Sequence, residues 1–191
     1  QKKLRVCLRG MMILKSGLKQ NLTGRKETGS LMSFSESEKL KQYKMNKQQS
    51  HPRTLIPDKA FTPAEIRECD EYFVNGIFEF NITRMIEYIR IHPEIFIPEK
   101  VCVSEFYNDF SVINQGYIDS VIIDEPVILA EIAPGRYNLI DGNHRMEKAK
   151  RLGYKNIPAY KLCAEEHLMF LTTRDSYEMY IGYWNEKLKD L

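Results

Sequence analysis

The chain has 191 residues, 43% hydrophobic and 28% charged, with a formal net charge of +2. That is enough apolar material for one buried core, and no apolar run reaches the roughly 20 residues of a membrane-spanning helix. The basic-then-apolar opening QKKLRVCLRGMMILKSGLKQ is interrupted by Arg9 and lacks a small-residue cleavage site, so a cytoplasmic protein with no membrane partner is expected.

The small net charge hides an asymmetry. Residues 1–50 hold 12 Lys/Arg and 3 Asp/Glu, whereas residues 51–191 hold 16 and 23. A basic, weakly structured arm over 1–53 is therefore expected ahead of an acidic domain. Such an arm either contacts nucleic acid through phosphates or stays a solvated or self-docked tail. Cys7, Cys69, Cys102 and Cys163 lie too far apart for a zinc or redox motif and are expected to be reduced and mostly buried.

From Pro57 onward the local signals sharpen. In FTPAEIRECDEYF, Thr62, Pro63 and Glu65 form a capping box with a proline start, which predicts a helix to about Phe73. NITRMIEYIRIH places Ile82, Met85, Ile86 and Ile89 at helical spacing before Pro93. The two form an expected helical pair over 54–93, packed on a domain covering 94–191.

FIPEKVCVSEFY alternates Val101 and Val103 with polar residues and reads as a strand carrying Glu105. NDFSVINQG, with Asp109, reads as a loop or short helix. Pro134-Gly135 separates two β-rich runs, predicting a hairpin of Val127–Ile132 and Arg136–Ile140. Asn143–Leu152 should be a helix closed by Gly153, followed by the strand NIPAYKLC. Helices near Ala164–Leu171 and Ser176–Leu188 complete an α+β fold, a small mixed β-sheet with flanking helices. Tyr177, Tyr180, Tyr183 and Trp184 read as a stripe packed on the sheet.

The informative stretch is YNLIDGNHRMEKAKRLGYKNIPAYKL. A strand ends near Ile140, Gly142 permits a sharp turn, and a helix begins. The first amides of such a helix lack intrahelical partners and carry positive dipole character. Arg145 adds a planar cation and His144 a proton-carrying donor. The junction is either an anion cradle or a plain connection in which Asp141 caps the helix and Arg145 pairs with an acid. His51, His92 and His167 stand alone and read as ordinary surface or partly buried histidines.

The stretch Pro126–Leu162 resembles the ParB/sulfiredoxin superfamily. The resemblance is carried by Pro126-Val-Ile-Leu, Tyr137-Asn-Leu-Ile, Asp141-Gly-Asn-His-Arg145, Ala149-Lys-Arg-Leu-Gly153 and Ile157-Pro158. It implies that Asp141, Gly142, Asn143, His144 and Arg145 surround nucleotide phosphates. Partition proteins carry G-E-R-R there and bind CTP, and sulfiredoxins carry G-C-H-R with a catalytic cysteine. This chain has Asn143 at the cysteine position, so sulfinic-acid reduction is not expected. The D-G-H-H-R loop of ParB-like free-serine kinases is similar at four of five positions.

The resemblance implies ATP, ADP or CTP as ligand, with Mg²⁺, and a phosphotransferase or nucleotide hydrolase in which His144 and Glu105 are the catalytic groups. No acidic cluster suggests a metal site held by the protein alone. The other reading is a DNA-associated ParB-like accessory protein that uses nucleotide as a switch and touches DNA through its basic arm.

Overall fold

The structure, a computed structural model, describes residues 53–107 and 114–191. All of them belong to the unit Lys39–Leu191. The basic arm up to residue 52, with Cys7 and His51, and the candidate Asp109 lie outside the described residues. A hairpin, β1 (Tyr72–Asn75) and β2 (Phe78–Asn81), leads directly into α1 (Ile82–Ile91). Then come β3 (Glu99–Cys102), the single turns α2 (Val103–Phe106) and α3 (Gln115–Ile118), and the hairpin β4 (Val127–Ala133) and β5 (Arg136–Asp141). Helix α4 (Asn143–Arg151), β6 (Asn156–Leu162), α5 (Ala164–His167), a 3-10 turn at Leu168–Phe170 and α6 (Arg174–Leu188) follow.

The main sheet has the order β3-β6-β4-β5. β4 pairs antiparallel with β5 and parallel with β6, and β3 pairs antiparallel with β6. The sheet is mixed because α4 carries the chain across from edge strand β5 to β6 beside β4. Successive strand residues point to opposite faces, and both faces are apolar. Val127 and Leu129 of β4, with Ile157 and Ala159 of β6, pack beneath Met146 and Ala149 of α4. Ile128 and Ala130 of β4, with Leu162, face a larger core that includes Phe80, Met85 and Tyr180. The fold is thus α+β, a small mixed sheet with helices on both faces. Among the described residues, no helix is long and apolar enough to cross a membrane.

Two of the sequence expectations fail here. Residues 62–71 form no helix, and Tyr72–Asn75 form a strand, so the expected helical pair is a coil, a hairpin and a single helix. Apart from the local Arg67–Asp70 turn, several polar groups of 62–71 serve distant partners instead of a helix ladder. The Ala64 N–H donates to the Leu171 carbonyl at 3.0 Å. Asn81 Nδ2 donates to Asp70 at 2.7 Å, and Arg67 grips Glu87 through two bonds of 2.9 and 3.1 Å. The overlooked signal is Val74-Asn75-Gly76. Gly76 has φ +65° at the first central position of a two-residue hairpin turn. The described cysteines are also not buried, since Cys69 and Cys102 are exposed and Cys163 is half-buried.

The aromatic stripe of α6 does face inward. Tyr180 lies in the core, while Tyr177 and Trp184 hold an extended tether formed by residues 53–61. Trp184 Nε1–H donates to the Arg53 carbonyl at 2.9 Å, and Asn185 both donates to and accepts from the Leu55 backbone at 2.9 Å. The Asp58 N–H donates to the Tyr177 hydroxyl at 2.9 Å, and Phe61 stacks on the Tyr177 ring with centroids 3.8 Å apart.

Candidate functional site

At the end of β5 the chain turns on Gly142, which has φ +94°. A Cβ at this position would stand 2.5 Å from Val127 Cγ1 and 3.0 Å from Arg145 Nε. The left-handed backbone and the close approach to β4 both require glycine. Helix α4 then starts with the Met146 N–H donating to the Gly142 carbonyl at 2.9 Å. Gly142, at the N-cap, has no side chain with which to cap the helix, and no acidic residue occupies its first turn. The dipole-positive end of α4 is thus left without a built-in anion.

Arg145 is 15% exposed and turned into the junction. It donates to Asp141 Oδ2 at 2.6 Å and to the Pro126 carbonyl at 3.0 Å, and Glu125 stands 3.7 Å away. Asp141 therefore pairs with Arg145 and does not cap α4. His144 reaches the other way. Its Nε2 accepts the Asn114 N–H at 3.1 Å, and its ring meets Tyr117 edge-on at 5.3 Å. One turn later, Lys148 Nζ donates to the Asp119 and Val121 carbonyls, both at 2.9 Å.

The junction opens onto a cleft of about 1430 Å³, bounded by β1, α1, β5 and the start of α4. Asp141, Gly142, Asn143, His144 and Arg145 all border it, and so does Glu105. Glu105 is exposed and sits on the α2 turn, because the predicted strand ends at Cys102. Asp141–Arg145 and Glu105 thus border one cleft, while Asp109 lies outside the described residues. The cleft mixes charges: Glu71, Glu105, Glu125 and Asp141 border it with Arg90 and Arg145. Its wall includes Tyr137, whose phenol is pushed well above the ordinary tyrosine range by burial and then by Glu131. Among the described residues, no group of three or more His, Cys, Asp or Glu could hold a metal ion.

Sequence reasoning missed the groups that surround His144. Asn114, Tyr117 and the Lys148–Val121 bond come from a segment with no pattern of its own. Only the i,i+4 spacing of His144 and Lys148 on one helix face could have pointed to them. Among the described residues, the other two histidines have structural surroundings. His92 lies 3.4 Å from Glu94 and against the Tyr88 ring, and His167 is fully buried. No family model and no curated protein matches the sequence.

Proposed function

We propose that this chain is a ParB/sulfiredoxin-like nucleotide-binding domain that holds nucleotide phosphates at Asp141–Arg145 and acts as a kinase-like phosphotransferase or nucleotide hydrolase. The observation that carries this reading is the shared cleft, bordered by the uncapped start of α4, His144, Arg145 and the exposed Glu105. A phosphate placed there meets the first-turn amides, where the helix dipole contributes about 0.3–1 kcal/mol.

The two Arg145 bonds to Asp141 and Pro126 occupy only two of its five N–H groups. The guanidinium can therefore face a phosphate without leaving its place. The surrounding carboxylates would repel a bare polyphosphate, so Mg²⁺ brought with the nucleotide would supply the charge neutralisation that binding beside them needs. Glu105 is the group available to accept the proton of an attacking hydroxyl or water. As that oxygen bonds to the terminal phosphorus, the bridging P–O bond breaks and the nucleoside diphosphate leaves.

The test is a thermal-shift and calorimetry panel of ATP, ADP, CTP and GTP with and without Mg²⁺, on wild type and Arg145→Ala. At least one nucleotide should bind wild type in a Mg²⁺-dependent manner. Arg145→Ala should weaken it about tenfold or more, as expected when a charge-assisted hydrogen bond is lost. A wild type that binds none of the four ends the nucleotide reading. Equal binding by the variant ends the site assignment.

A further inference from the structure

We infer that Lys148 is a positioning residue that fixes the tautomer of His144, so that His144 presents Nδ1–H to the cleft. The inference rests on the nucleotide reading only for what that N–H would meet. The carrying observation is the Asn114 N–H, which donates to His144 Nε2 at 3.1 Å. A backbone N–H can only donate, so Nε2 must be the accepting nitrogen and the ring proton of neutral His144 must sit on Nδ1. The imidazole thus has one nitrogen committed to the 114–121 segment and one donor left for an anion.

That segment meets α4 through named polar groups. Asn114 caps α3 through its own side chain, accepting the Gly116 N–H at 3.1 Å. Lys148 Nζ also bonds this segment, at 2.9 Å to both Asp119 and Val121 carbonyls. His144 and Lys148 lie one turn apart on α4. The Lys148 ammonium therefore anchors the segment whose first N–H sets the His144 ring. Tyr117, edge-on to the same ring at 5.3 Å, limits its rotation. Lys148 acts on the site through two carbonyls and one N–H and need not touch a ligand.

The test reads the tautomer directly. In alkaline buffer, where an imidazole is neutral, the ring ¹⁵N shifts of labelled protein report which His144 nitrogen carries the proton. Wild type should show Nδ1–H. Lys148→Met should shift His144 towards Nε2–H and speed amide exchange over 114–121, and Lys148→Arg should restore both. Asn114→Pro removes the donor N–H, at a φ of −77° that proline accepts, together with the α3 cap, and should shift the tautomer, whereas Asn114→Ala, which loses the cap alone, should keep Nδ1–H.

ADP with Mg²⁺ should bind Lys148→Met roughly fivefold more weakly than wild type, the worth of one oriented hydrogen bond. An Nε2–H wild type, or a Lys148→Met protein with an unchanged tautomer and unchanged exchange, overturns the inference. Failure of ADP and the other nucleotides to bind wild type would sink the nucleotide reading instead, and the tautomer measurement would still decide the role of Lys148.

Discussion

Gly142 has two independent reasons to be glycine. Its φ of +94° is strained for any L side chain, and a Cβ would press on Val127. Gly142→Ala should therefore cost about 2–4 kcal/mol in urea denaturation, from backbone strain plus overpacking. Gly135→Ala is the control. It has φ +72° but nothing within 4 Å of the added methyl, so only the strain, about 1 kcal/mol, should be lost. Equal losses at the two positions would show that the contact with Val127 does not matter. That Gly142 was special was legible in the sequence, because Asp-Gly between a β-run and a helical run marks a turn. The approach to Val127 was not, since it depends on how β4 and β5 pair. Arg145 divides the same way: its presence at the helix start could be read, and its bond to the Pro126 carbonyl could not.

Helix α1 shows how an element is set by its cap. Asn81 is fully buried, its Oδ1 accepts the Arg84 N–H at 3.0 Å, and its Nδ2 donates to Asp70. Asn81→Ala should cost about 2–3 kcal/mol, combining a lost N-cap with a buried carboxylate left short of a donor. Asn81→Asp should keep the cap yet set a second carboxylate against Asp70, so it should recover less than half of the loss. Thermal or urea unfolding measures both, and a neutral Asn81→Ala would mean the coil at 62–71 is held without it. β4, β5, α4 and β6 were legible because each is bounded by a local stop, such as Pro134-Gly135 or Gly153. The 62–71 segment was misread because its capping box is genuine local helix chemistry, overridden by Asn81, Leu171 and Glu87. Propensity gives way wherever distant partners supply the hydrogen bonds that a helix would have made.

At the scale of the whole molecule, the larger core holds a titratable group that opposes acid. His167 is wholly buried, its Nε2 donates to the Glu131 carbonyl at 2.9 Å, and Nδ1 has no hydrogen-bond partner. Burial pushes its pKa down from 6.5 to about 4. The unfolded chain therefore binds a proton that the folded chain refuses. Stability should fall by about 1.4 kcal/mol per pH unit as the pH drops from the unfolded value to the folded one, roughly 3 kcal/mol in all. Urea midpoints at several pH values should show a shallower decline for His167→Gln than for wild type across that window. Parallel declines would remove His167 from the acid response. No sequence signal distinguished this histidine from His92. Its burial follows from the way α5 and α6 close over β4, a long-range outcome that local patterns do not encode. The two-faced sheet, by contrast, has a local signature in the four successive apolar residues Val127–Ala130 of β4.

The tether along α6 also has a mechanical consequence. Its hooks come in chain order: Trp184 on Arg53, Asn185 on Leu55, Tyr177 on Asp58, and the stacked ring of Phe61. A force applied at Arg53 would load them one after another, as in a zip, rather than all at once as in a sheared sheet. The tether would therefore peel at low force while the sheet and the cleft beside β5 kept their shape. Residues 53–61 would act as a give-way link that absorbs a pull before it reaches the site.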